Sequence, residues 1–152
     1  DGTLRLTDGT FSVAAGETLR FDTAIGGKVL SEIGVSFDVE GMLEFSNTTV
    51  GGTFNGAGTI ILVGSNEWSR RLTVNAVNGL VNKGTLTVTG SSPSLVGELH
   101  NEGTIVHTST NSILLAGSTI NNLQDATFEL RAGTIGSSFV DNVTFNNSGT
   151  FR

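Results

Sequence analysis

The sequence predicts an all-β fold in which successive turns of the chain stack as a parallel β-solenoid. Three observations support this prediction: a seven-residue segment recurs along the chain, short triplets alternate hydrophobic and polar residues, and the composition disfavours helix. Glycine accounts for 21 of the 152 residues, proline for one, and charged residues for 14%. Low charge combined with 37% hydrophobic content also argues against disorder.

The recurring segment has the pattern hydrophobic-x-Asn-x-Gly-Thr-hydrophobic. Gly56 replaces Asn in one copy, and another copy is stretched by two residues. The copies begin at positions 54, 80, 99, 120 and 145, so that successive steps are 26, 19, 21 and 25 residues. A strand-forming repeat of about 20 to 25 residues is typical of stacked coils. The copies are residues 54–60, 80–86, 99–105, 120–128 and 145–151.

Short alternating triplets, such as Leu43-Glu44-Phe45, predict the strands. Alternation places the two outer residues of each triplet on one face and the middle residue on the other. Strands of three to five residues followed by turn residues suit a coil that turns two or three times per rung. Segments 13–19 and 37–43 fit the same frame with weaker turns. We therefore expect roughly seven rungs in a single domain over residues 1–152.

The repeat also predicts which side chains face the core. Glycine at Gly84, Gly103 and Gly149 is expected to turn the chain with positive φ, because glycine adopts that conformation without steric cost. The threonine that follows should face outward, where a β-branched side chain suits an extended backbone. The next residue should point inward, above its equivalent on the rung below. This inward column is Leu86, Ile105, Phe128 and Phe151.

The repeated asparagines allow two interpretations. Their amides could form an internal ladder, each bonded to the next at a spacing of about 4.8 Å. Alternatively, asparagine could be present because it tolerates left-handed turn geometry at the surface. The sequence leaves both open. The residues concerned are Asn82, Asn101, Asn122 and Asn147.

Composition excludes several classes of partner. The chain has no cysteine, so disulfides and thiolate zinc sites are excluded. A net charge of −6 with eight basic residues argues against nucleic acid as a partner. No run of 18 apolar residues is present, so no membrane-spanning segment is expected.

The first and last residues of the chain fall at the same phase of the repeat. Gly2-Thr3-Leu4 aligns with Gly149-Thr150-Phe151, and no secretion signal precedes the first rung. We expect this segment to be a piece of a longer processed protein. Its expected partners are further rungs of the same chain or copies stacked head to tail, because open strand edges recruit more β-structure.

The only tryptophan and the only adjacent basic pair occur together, as Trp68, Arg70 and Arg71. An exposed tryptophan beside arginine could stack on a sugar or on a partner surface. Equally, Trp68 could fill a widened core while the arginines point to water. These three residues are the candidate ligand-binding site.

No catalytic, metal-binding or cofactor-binding residue is predicted. His100 and His107 have only Glu98 and Glu102 nearby in sequence, and we interpret the histidines as solvated surface residues. A polysaccharide lyase or hydrolase would need clustered carboxylates. The region richest in acids is expected to be a solvated face without enzymatic function. Its residues are Asp22, Asp38, Glu40 and Glu44.

The segment 11–19 and the repeated Asn-x-Gly-Thr motif resemble the repeats of large bacterial surface and secreted proteins. The familiar groups are filamentous-haemagglutinin-type exoproteins and the passenger domains of autotransporter adhesins. The resemblance implies a right-handed parallel β-helix that is secreted or displayed on the bacterial cell surface, and the handedness rule for parallel crossovers agrees with the first part. It transfers no catalytic residue.

The expected function is a structural or adhesive module, a stiff stalk or fibre segment with possible contacts to surface glycans or to host or neighbouring cells. The alternative is a carbohydrate-binding or polysaccharide-processing β-helix, by analogy of fold and from Trp68.

Overall fold

The computed structural model describes residues 3–23, 28–137 and 142–152, with side chains of residues 3 and 28–33 excepted. Within these ranges the chain forms sixteen β-strands and no helix. The strands are β1 (Thr3–Val13), β2 (Thr18–Asp22), β3 (Lys28–Val39), β4 (Met42–Ser46), β5 (Thr49–Asn55), β6 (Thr59–Val63), β7 (Ser65–Val74), β8 (Leu80–Asn82), β9 (Thr85–Val88), β10 (Ser94–Asn101), β11 (Thr104–His107), β12 (Ile113–Asn122), β13 (Thr127–Leu130), β14 (Ile135–Ser137), β15 (Thr144–Asn147) and β16 (Thr150–Phe151).

All the strand pairs are parallel, and the pairings sort the strands into three faces of a solenoid. Face A contains the first parts of β1, β3, β5 and β7, followed by β9, β11, β13 and β16. Face B contains the later parts of β1, β3, β5 and β7, the first parts of β10 and β12, and β14. Face C contains β2, β4, β6 and β8, the last parts of β10 and β12, and β15.

Face C shows the winding clearly, with a strand on seven successive levels. Residues 19, 43, 60, 80, 99, 120 and 145 occupy one column of this face, so the steps are 24, 17, 20, 19, 21 and 25 residues. The six steps are about six turns. The prediction of a β-solenoid with about seven rungs is thereby confirmed, with two of the steps, 17 and 19 residues, shorter than the expected 20 to 25.

The core lies between the three faces and is built from the outer residues of the alternating triplets. Leu43 and Phe45 are fully buried while Glu44 between them is not. The predicted inward column is also found, since Ile105 pairs with Leu86 on one side and Phe128 on the other. Leu4 departs from the pattern, being 53% exposed.

Phenylalanines fill the core of the first turns by stacking on one another. On face B, Phe37 lies parallel to Phe11 and to Phe54, with ring centroids 5.5 and 5.2 Å apart. On face C, Phe21 and Phe45 stack at 5.3 Å. The two stacks meet edge to face, as Phe37 and Phe45 do at 88°. Both arrangements are the favoured geometries of aromatic pairs.

Copy 54–60 of the predicted repeat lies at a different corner of the turn from copy 80–86. Leu80–Asn82 belongs to face C and Thr85 to face A, so copy 80–86 rounds the corner between faces C and A. In copy 54–60, Phe54 belongs to face B and Ile60 to face C. The two corners look alike in sequence because both combine glycine, threonine and a hydrophobic residue.

The corner glycines are required for a different reason from the predicted one. Gly84, Gly103 and Gly149 do not have positive φ. A Cβ atom on Gly103 would lie 2.2 Å from the carbonyl oxygen of Gly84, and one on Gly84 would lie 2.2 Å from that of Gly64. Successive corners therefore touch backbone to backbone, and only glycine leaves room for that contact.

Replacing a corner glycine by alanine should destabilise the fold. We expect Gly103→Ala to lower the free energy of unfolding by at least about 2 kcal/mol, since the new methyl group overlaps backbone that cannot move aside. Gly136→Ala is the matched control, because a Cβ there meets nothing within 4 Å and φ is not positive. The control should be neutral or stabilising by up to about 1 kcal/mol. Equal denaturant midpoints for the two variants would contradict this account of the corner.

Candidate functional site

The most distinctive internal feature is a ladder of asparagine amides along face C. The Nδ2 of Asn82 donates to the Oδ1 of Asn101 at 2.7 Å, Asn101 donates to Asn122 at 2.7 Å, and Asn122 donates to Asn147 at 2.6 Å. The first three side chains are at most 1% exposed. The asparagines therefore form the internal ladder, and the alternative of surface turn residues is wrong for Asn82, Asn101 and Asn122.

Each buried amide also donates to the backbone of the next turn. Asn101 Nδ2 lies 2.9 Å from the carbonyl oxygen of Thr127, and Asn122 Nδ2 lies 3.0 Å from that of Thr150. An asparagine amide has two N–H donors, and both are used. The ladder thus fastens face C of one turn to the start of face A in the next.

The ladder begins abruptly above an apolar column. Asn82 pairs in register with Leu62, and Leu62 pairs with Phe45. Leucine offers no donor, and the Oδ1 of Asn82 has no hydrogen-bond partner among the described residues. The inward-facing column of face C therefore changes from apolar side chains to asparagine amides between Leu62 and Asn82.

Trp68 is part of the core and cannot stack on a ligand. Its side chain is fully buried, and its indole Nε1–H donates to the carbonyl oxygen of Arg70 at 2.5 Å. The proposal of an exposed tryptophan is therefore wrong, and the alternative of a core-filling residue is correct. Arg70 and Arg71 are exposed and line a cavity of about 420 Å³ together with serine hydroxyls.

Two buried polar residues were missed by the sequence analysis. His107, interpreted as a surface residue, is fully buried with Nε2 2.9 Å from the carbonyl oxygen of Asn111. Asn66 is 3% exposed, and its Oδ1 accepts hydrogen bonds from the backbone N–H and the hydroxyl of Thr48. Alternation could have located His107, because it is an outer residue of the triplet Ile105-Val106-His107.

Several of the remaining titratable candidates form ion pairs on the surface. His100 Nε2 lies 3.6 Å from Glu98 Oε1. Arg20 bridges Asp22 and Glu44 at 3.0 and 2.9 Å, so these two acids share one arginine. Among the described residues, no group of three or more histidine, cysteine, aspartate or glutamate side chains could hold a metal ion.

The last turns carry a second surface charge cluster around Glu129. A hydrogen bond from Arg131 and the nearby charges of Arg131 and Arg152 lower the pKa of the Glu129 carboxyl. The same hydrogen bond and the charge of Glu129 raise the pKa of the Arg131 guanidinium. The three side chains form surface ion pairs, and such pairs contribute little to the stability of a fold.

Comparisons with protein-family models, with curated proteins and with solved structures returned no match. In the described part of the chain, no helix has the length and apolar character needed to cross a membrane. The geometry of the site is therefore the basis for the proposals below.

Removing one buried amide should cost far more than removing its surface neighbour. We expect Asn122→Ala to lower the free energy of unfolding by about 2 to 4 kcal/mol, because it opens a cavity and leaves Asn101 Nδ2 with one acceptor fewer. Asn121→Ala removes a partly exposed amide bonded to Glu98, and should cost less than about 1 kcal/mol. Urea denaturation of both variants measures the difference, and similar costs would show that the ladder does not stabilise the fold.

Proposed function

We propose that this chain is a structural or adhesive module, a stiff stalk or fibre segment of a large bacterial surface or secreted protein. The observation that supports the proposal is the unbroken stack of parallel strands on face C, from residues 18–22 to residues 145–147. A solenoid whose turns contact only their neighbours grows in one dimension, and length is what a stalk requires.

The side-chain columns favour stiffness. Bending the solenoid would separate successive turns on one side, and each separated turn would lose hydrogen bonds that depend steeply on distance and angle. A hydrogen bond of 2.7 Å between the side-chain amides of Asn101 and Asn122 connects adjacent turns. The stacked rings of Phe37 and Phe54, with centroids 5.2 Å apart, do the same. These contacts run along the axis, which is the direction in which a stalk bears load.

The proposed partners are further turns, either of the same polypeptide or of a second copy stacked head to tail. In the described last turn, Phe151 is 46% exposed. Asn147 Nδ2 bonds to the carbonyl oxygen of Gly149 in its own turn, whereas Asn122 Nδ2 reaches the following turn. A further turn would cover the aromatic ring and give the amide the acceptor that the earlier asparagines have.

Two measurements on the purified chain test this proposal. Incubation with a panel of polysaccharides should release no reducing ends, and turnover of any of them would contradict the structural function. Light scattering should show mass rising with concentration, and Phe151→Lys should reduce that rise. Val77→Lys, at a side chain that is 77% exposed, should not. A dilution-resistant monomer with terminal turns protected from hydrogen exchange would contradict head-to-tail stacking.

A further inference from the structure

The corner between faces A and B is one of the places where the repeat gains extra residues. Early in the chain, β5 and β7 pass through this corner without interruption. Later, loops of five, five and four residues separate the strands there, namely 89–93, 108–112 and 131–134. In solenoids, insertions of this kind collect on one side of the stack, and that side often binds ligands.

Arg70 and Arg71 both reach the surface because the strand bulges at this corner. Val50 pairs with Trp68 and Gly52 pairs with Leu72, so that one residue of β5 lies opposite three residues of β7. In a regular strand, neighbouring side chains point to opposite faces. Here Trp68 and Leu72 are fully buried on either side of the bulge, while both arginines are exposed.

Arg70 and Arg71 line one cavity. The cavity measures about 420 Å³ and lies between the β7 bulge and the loop 89–93 of the next turn. Ser91 and Ser92 of the loop also line the cavity, and so does Ser69 of the bulge. The lining residues are Ser69, Arg70, Arg71, Gly90, Ser91 and Ser92.

No carboxylate neutralises these arginines among the described residues. Arg20 and Arg131, by contrast, each lie within 3.0 Å of a carboxylate oxygen. Arg71 Nε donates only to the hydroxyl of Thr73, at 3.3 Å. The preceding carboxylate on the strand, Glu67, accepts a hydrogen bond from Thr89. The chain is acidic overall, so an unneutralised basic pair marks this corner as a local positive site.

The cavity walls are fixed by contacts to the core. The indole of Trp68 holds the carbonyl oxygen of Arg70. A Cβ on Gly90 would lie 1.7 Å from the carbonyl oxygen of Ser69, so the bulge and the loop above it are in backbone contact. Ser109 in the following turn donates to the carbonyl oxygen of Gly90 at 2.7 Å. Walls held in this way reduce the ordering cost of binding.

We propose that this cavity binds a tetrahedral oxyanion, sulfate or phosphate, either as the free ion or as an ester on a larger molecule. Two guanidinium forks supply charge-assisted donors that match such oxygens, and three serine hydroxyls supply further donors. Trp68 positions the arginines and does not touch the ligand. This site goes beyond the proposed stalk function, which does not require it.

The single tryptophan provides the assay, because its indole is bonded to the Arg70 carbonyl. We expect its fluorescence to change saturably on titration with sodium sulfate or sodium phosphate at an ionic strength held constant with sodium chloride. The double variant Arg70→Gln, Arg71→Gln should bind at least about tenfold more weakly, since two charge-assisted contacts are lost. The control Arg131→Gln removes an arginine at the same corner three turns later and should bind as the unchanged chain does.

Glucose 6-sulfate and glucose 6-phosphate in the same titration distinguish the two sources of the anion. Arginine-dependent binding of the inorganic ions, of the esters or of both supports the proposal, and the tighter set identifies the source. Calorimetry of the same mixtures verifies that heat and fluorescence report one event. No binding of any probe, or binding that the double variant leaves unchanged while its thermal melt matches the original, would overturn it.

Discussion

Each side chain in this solenoid packs against the residue at the same position in the next turn, at one strand spacing of about 4.8 Å. This constraint favours residue types that can pack against, or form a hydrogen bond to, a residue of the same type. Phenylalanine rings stack, as Phe37 does on Phe54, and asparagine amides bond, as Asn101 does to Asn122. Glycine permits corners to touch, as Gly103 does above Gly84. A charged residue can pair with an opposite charge at the same position in the next turn, as Arg20 does with Glu44.

The fold could be predicted from the sequence because the sequence repeats. Leu86, Ile105 and Phe128 each follow a threonine, and they pair in register from turn to turn. Finer assignments depended on facts that repetition does not contain. Glycine serves both positive φ and close backbone approach, so its presence at Gly103 did not distinguish them. Trp68 is buried because it pairs in register with the buried Val50 and Val88, and the repeat did not reveal that pairing.

The interior and the surface of the stack have different consequences for function. Inside, the amide ladder and the aromatic stacks act along the axis and favour a rigid rod. Outside, the corner between faces A and B departs from the repeat, and there the arginine pair faces solvent beside serine hydroxyls. A rod of this kind can carry a ligand site without altering its core, since loops at a corner do not enter the column of stacked residues.

Exchange of the asparagine side-chain hydrogens measures most directly whether the buried amides bond from turn to turn. In nuclear magnetic resonance spectra, the Nδ2 hydrogens of Asn101 and Asn122 should exchange with solvent far more slowly than those of Asn146, which is exposed and bonds to Asn121. We expect the protection of the buried amides to persist until the turns themselves open. Exchange of Asn101 as rapid as that of Asn146, in a chain whose backbone amides remain protected, would contradict it.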